Sequence, residues 1–96
     1  MDNNELKEMI SDYVLGDEEV LDSIIILEGN EFADGAIGIT DDYHVVYSYE
    51  RLVDSLAKTY GTEEDAIDWL DYNTMRSLPY MASMGNEPII IHEFER

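Results

Sequence analysis

The step Gly61-Thr62 separates two helical patterns and constrains the fold more than any other point in the chain. Before it, Tyr49, Leu52, Val53, Leu56, Ala57 and Tyr60 recur at i, i+3, i+4, i+7, i+8 and i+11, which is one face of a helix. Ser48 is placed to cap that helix. Gly61 is placed to close it, because a helix C-terminus favours a residue free to turn left-handed. Thr62 opens a second helix one residue later, so the spacing predicts a tight helical corner.

The second pattern runs from Thr62 to Tyr80 as TEEDAIDWLDYNTMRSLPY. Thr62 with Asp65 three positions on is a capping box whose usual Glu or Gln is replaced by a shorter acid. Glu63, Glu64 and Asp65 put negative charge on the first turn, where the helix dipole favours it by about 0.3–1 kcal/mol each. Ala66, Ile67 and Leu70, widened by Trp69, make the apolar stripe, and the same face then reaches Asn73, Thr74 and Ser77. Pro79 predicts that regular helix ends near Leu78, with Tyr80 onward a connection.

Upstream, Asp2 to Val14 reads as an amphipathic helix, with Leu6, Met9, Ile10, Tyr13 and Val14 on one face and Glu5, Glu8 and Asp12 on the other. Gly16 stops it. Asp17, Glu18, Glu19 and Asp22 flank Val20 and Leu21 in either one more helical turn or a loop. The β-branched run Ser23 to Leu27 is short enough for a buried strand, and Gly29 and Asn30 begin an irregular segment up to Gly35. Ala36–Thr40 and Tyr43–Tyr47 form a hairpin across Asp41-Asp42. Residues 81–86 are loop, Pro88–His92 is a last strand, and Glu93 to Arg96 is a charged tail. The expected fold is α+β: a small antiparallel sheet of three or four strands near 23–27, 36–40, 43–47 and 88–92, covered on one face by the helices near 49–60 and 63–78. A single domain over 1–96 is expected, with an acidic N-terminal helix over 1–16 and an α+β core over 23–92.

Composition sets the class of partner. At 45% hydrophobic and 10% aromatic the chain can build a core despite its charge. Net charge is −18, and residues 1–42 carry 13 acids against one base. Such a surface repels nucleic acid and anionic membranes and attracts basic protein surfaces. The expected partner is therefore a protein with a basic surface, with no direct nucleic-acid binding and no membrane. No apolar run approaches the roughly 18 residues of a span, and the first residues lack a basic start, so a cytoplasmic location is expected.

Catalytic chemistry finds little to work with. There is no Cys and no Gly-x-Ser-x-Gly elbow, and only His44 and His92 could act as a base, so no catalytic residue is assigned. Zinc lacks a third nitrogen or sulfur ligand. Asn30, Asp34, Gly35, Ile37 and Asp41 follow part of an EF-hand loop, but Phe32 stands at a ligand position and the last ligand is not a bidentate Glu. No metal or cofactor is expected.

The best polar constellation is Asp71, Asn73 and Arg76. Asn73 and Arg76 are one turn apart and share a face, while Asp71 points elsewhere. They could offer an amide and a guanidinium to a ligand, or serve the fold by bonding neighbouring backbone and one of the many acids. Tyr72 and Tyr80 join them as contact candidates, tyrosine being enriched at interfaces. The second set of contact candidates is acidic: Asp12, Asp17, Glu18, Glu19 and Asp22. Charge spread over the roughly 5,600 Å² of a folded chain this size gives one per about 310 Å², against roughly 100 Å² on duplex DNA. Imitation of nucleic acid thus requires clustering, and the run Asp2, Glu5, Glu8, Asp12, Asp17, Glu18, Glu19, Asp22 is where it could arise.

As a set, AIGITDDYHVVYSYERLVDSLAKTYG, EEDAIDWLDYNTMRSLPY and EPIII resemble a family of short acidic proteins of bacteria and their phages with no established activity. The motif falls on Tyr47, Tyr49, Glu50, Asp71, Tyr72, Asn73, Thr74, Arg76, Pro79, Tyr80 and Pro88, within residues 24–92, and leaves residues 1–22 outside it. The resemblance implies a small protein of the host-cell cytoplasm, carried by a phage or mobile element. The function expected from all of this is a non-enzymatic protein-interaction module. The alternatives are a nucleic-acid-mimicking inhibitor of anti-CRISPR or anti-restriction type and a small-ligand binder using Asn73 and Arg76.

Overall fold

In the computed structural model, which describes residues 1–94, the chain runs α1 (Asn3–Tyr13), α2 (Glu18–Ser23), α3 (Asn30–Ala33), β1 (Ala36–Ile39), β2 (Val45–Ser48), α4 (Tyr49–Tyr60) and α5 (Glu63–Trp69). A π-helical segment (Leu70–Met75), α6 (Arg76–Ala82) and β3 (Ile89–Ile91) follow. Of the charged tail, Glu95 and Arg96 lie outside the described residues.

The fold is a small α+β fold, and the corner at Gly61 forms as its spacing predicts. Ser48 Oγ accepts the Arg51 N–H at 3.2 Å to start α4, Gly61 closes it left-handed at φ 95°, and Thr62 Oγ1 accepts the Asp65 N–H at 3.1 Å to start α5. The stripe on α4 buries Leu52, Val53 and Leu56 against Leu6, Ile10, Leu27, Phe32, Val45, Tyr47 and Leu70 in one core. Trp69 ties the corner together, its ring 5.7 Å from Phe32 on one side and 5.7 Å from Tyr60 on the other.

The sheet order is β1-β2-β3. β1 and β2 are the expected antiparallel hairpin, with Ile39 opposite Val45 and a bulge between Ala36 and Gly38. β3 joins β2 in parallel, Ile90 opposite Tyr47, so the expected antiparallel sheet is corrected to a mixed one. Parallel neighbours need a long crossover, and here the whole run of α4, α5, the π segment and α6 supplies it. The hairpin turn is one residue longer than Asp41-Asp42, because Thr40 N–H bonds His44 O and Tyr43 sits left-handed at φ 68° where glycine is usual. Asn86 Nδ2 bonds the Tyr43 carbonyl at 3.1 Å and holds that conformation.

Three further expectations are corrected. Ser23–Leu27 forms no strand: Ser23 ends α2, and the chain beyond it makes one parallel bridge at Ile24, with Asn86 N–H donating to Ser23 O and Ile25 N–H to Asn86 O. The next ladder bond would need an N–H from residue 88, and Pro88 has none; Leu27 N–H goes to the Tyr47 hydroxyl instead. Residues 30–33, read as irregular, make one helical turn that buries Phe32 and Ala33. The second helix also does not stop at Leu78. It widens into the π turn and continues through Pro79 to Ala82. The π turn ends at Met75, whose carbonyl is the one a proline at 79 opposes in a regular helix, so the widened ladder lies where relief of that clash is needed. Side chains serve displaced carbonyls: Asn73 Nδ2 bonds Trp69 O at 3.1 Å and Ser77 Oγ bonds Asn73 O at 2.7 Å.

Gly85 shows how closely the 83–86 loop lies on the 23–27 segment. A Cβ on it would sit 2.6 Å from the Ser23 carbonyl oxygen. Gly85→Ala is expected to break the Asn86 bonds to Ser23 and Ile25 and cost about 1–3 kcal/mol. A urea midpoint unchanged from the parent would show that the loop can retreat without loss.

Candidate functional site

Two surfaces carry the candidate residues. On the first, Asp71, Tyr72, Asn73, Arg76 and Tyr80 are all exposed, Tyr72 at 65% and Tyr80 at 76%. The Arg76 guanidinium lies over the Tyr72 ring, 4.6 Å from its centroid. Among the described residues it has no carboxylate partner within ion-pair distance. Asn73 is committed to its own helix through Trp69 O, so it reaches no neighbouring strand. Asp71 accepts the Tyr49 hydroxyl at 3.0 Å and still borders the depression it shares with Asn73 and Arg76, although the spacing placed it elsewhere. Burial, with Asp71 adding to it, pushes the Tyr49 phenol up to about 12. Asp65, Asp68, Trp69, Asp71, Tyr72, Asn73 and Arg76 border a wide, shallow depression of about 640 Å³.

The second surface is N-terminal. The sequence caps build it: Asp2 Oδ1 accepts the Glu5 N–H to start α1, and Asp17 Oδ1 accepts the Glu19 and Val20 N–H groups to start α2. The undecided stretch 17–22 is thus helical, and its acids are partly explained by capping. Leu6, Ile10 and Val14 turn inward, while Glu5, Glu8 and Asp12 form an exposed ridge along α1. Glu18, Glu19 and Asp22 are exposed on α2. Among the described residues none of these six acids has an ion-pair partner.

The ridge runs between two apolar hollows. On one side Leu6, Met9, Tyr13 and Ile37 border a space of about 250 Å³ between α1 and β1, and Met9 stays 57% exposed although the pattern placed it and Tyr13 on the inner face. On the other side Ile10, Leu21, Ile24 and Ile26 wall a groove of about 420 Å³ between α1 and α2. These groove residues were not candidates in the sequence. An uninterrupted apolar run reads as buried, and only the failed strand at 23–27 leaves Ile24 and Ile26 half-exposed.

The histidines hold the fold's edges. His44 Nδ1 donates to the Glu87 carbonyl at 2.8 Å. His92 Nδ1 donates to Glu50 Oε2 at 2.7 Å, and the Glu93 N–H binds the other oxygen at 2.6 Å. The Glu93 amide first and His92 second hold the Glu50 carboxyl below the usual carboxylate range, and the Ser48 hydroxyl and Arg51 do the same for Glu93. An imidazole oriented by a carboxylate is part of a hydrolytic triad, but Ser48 is fully buried and its Oγ is engaged in capping α4. Of the calcium-loop residues, Asn30 Oδ1 accepts the Asn3 N–H and Asp34 pairs with the Met1 amino group at 2.7 Å, so they do not converge. No group of three or more His, Cys, Asp or Glu among the described residues is arranged to hold a metal ion. No described helix is long and apolar enough to cross a membrane.

Comparison with protein-family models, curated proteins and solved structures yields no match.

Proposed function

We propose that the protein is a non-enzymatic interaction module that binds a basic protein partner through its α1–α2 face. The observation that carries this reading is the set of acids without an ion-pair partner among the described residues, Glu5, Glu8, Asp12, Glu18, Glu19 and Asp22, exposed beside apolar hollows. Like charges held this close repel one another, and a cationic partner relieves that repulsion while steering its own approach. The test is affinity capture from host lysate at low and at about 0.5 M salt, where the screening length falls to a few ångströms. The parent is compared with a variant carrying Asp12→Asn, Asp17→Asn, Glu18→Gln and Glu19→Gln. Asn caps a helix as well as Asp does, so the variant keeps α2. Partners retained by the parent and lost by the variant are expected; identical capture by both would remove the acidic face from the function.

A second reading, the nucleic-acid mimic, is favoured by the spacing of Glu5, Glu8 and Asp12 along one exposed ridge. Against it, a surface of 6088 Å² divided by a net charge of 18 leaves one charge per about 340 Å², far sparser than DNA. Under this reading the captured partner is a nucleic-acid-binding enzyme, and duplex DNA competes it off.

A further inference from the structure

Resting on the reading of the α1–α2 face as a partner-binding surface, we infer that the groove between α1 and α2 seats a cationic amphipathic helix of the partner protein. The groove walls are aliphatic, Ile10, Leu21, Ile24 and Ile26, and its volume of about 420 Å³ suits a few buried side chains. Its lips are charged. Glu8 lines it from α1, and Glu18 stands one turn before Leu21 on the same side of α2. An occupant must therefore present aliphatic side chains inward and Lys or Arg at the margins.

The occupant is a helix because the groove offers aliphatic side chains from two helices and the 24–26 segment, whose inner edge is already taken. The Ile25 N–H already donates to Asn86 O, and Ser23 O already accepts from Asn86. Strand addition on that inner edge would need those groups, whereas helix-in-groove binding needs only pockets for anchors one turn apart. A second copy of this chain is a poor occupant, since each carries a net charge of −18 and the acids sit at the contact. Lys7 lies on the α1 lip, so the partner's cations belong on the sides facing Glu8 and Glu18.

Three labelled probes test this: a Leu/Lys peptide of about four helical turns with leucines at i, i+3, i+4 and i+7, the same composition scrambled to scatter the leucines, and an all-lysine peptide of equal charge. Affinities are read by fluorescence anisotropy, and the site by methyl chemical shifts of the unmodified protein. The amphipathic peptide is expected to bind at least about tenfold tighter than the scrambled one and to shift the methyls of Ile10, Leu21, Ile24 and Ile26. Ile24→Lys should weaken it about tenfold, and Ile37→Lys, bordering the hollow beside β1, should leave it unchanged. The methyl map keeps the test decisive if Ile24→Lys disturbs the fold. Equal binding of the scrambled peptide, or shifts confined to Met9 and Ile37, would overturn the groove assignment. If the all-lysine peptide still bound through the acids in that case, the broader reading of the face would stand. Absence of binding by all three at low salt would overturn both.

Discussion

Tyr47→Ala is expected to lose about 3–5 kcal/mol of stability, the range for removing a large aromatic from a core, and so to consume much of the 5–15 kcal/mol that holds a domain folded. Tyr47 is fully buried on the central strand, and its hydroxyl accepts the Leu27 N–H at 3.0 Å. The two roles separate in Tyr47→Phe, which keeps the ring and strands the Leu27 donor at a cost of about 1–3 kcal/mol. Alkaline titration offers an independent check. Burial pushes the Tyr47 phenol up to about 12. Between the ordinary value near 10 and that point, the folded state keeps a proton the unfolded state has released. Stability therefore falls as pH rises through this window, by about 2–3 kcal/mol from Tyr47. Urea unfolding of the parent and Tyr47→Phe across it should show a shallower decline in the variant, with Tyr49 accounting for what remains. Parallel declines would mean that the Tyr47 phenol is not sequestered.

Leu70→Ala should cost about 2–5 kcal/mol, while Asn73→Ala, three residues on, should stay within about 0.5 kcal/mol. Leu70 is fully buried where α5 passes into the π segment. Asn73 is exposed and bonds only its own helix, so water can replace what its side chain provides. Urea denaturation of both variants checks the contrast. A large loss at Asn73 would assign its amide a part in forcing the π turn, and the depression beside Arg76 would then be a by-product of folding around Pro79.

Where a local rule acts alone, the sequence was readable. The helix at 49–60, its Ser48 cap, the Gly61 closure and the Thr62 start are each decided within one turn of chain, and each stands where its residues put it. The candidate site was legible in part: the acids of 12–22 are exposed, and Arg76 shares a surface with Tyr72. The apolar groove was not legible, because its walls come from α1, α2 and the 24–26 segment, and Met9 and Tyr13 show that an apolar stripe can be wider than the core it meets.

The sequence by itself determined where α1, α4 and α5 begin, the hairpin between β1 and β2, and a net charge of −18. These follow from capping, periodicity and composition, none of which needs distant residues. Tertiary structure alone decided that Ile24 to Ile26 would wall a groove rather than extend the sheet, since that turns on Pro88 lacking an N–H and Tyr47 taking the one from Leu27. It also decided that Pro79 would sit inside a helix. Local preference disfavours that placement, and the π turn directly before it is the departure from regular helix that accompanies it.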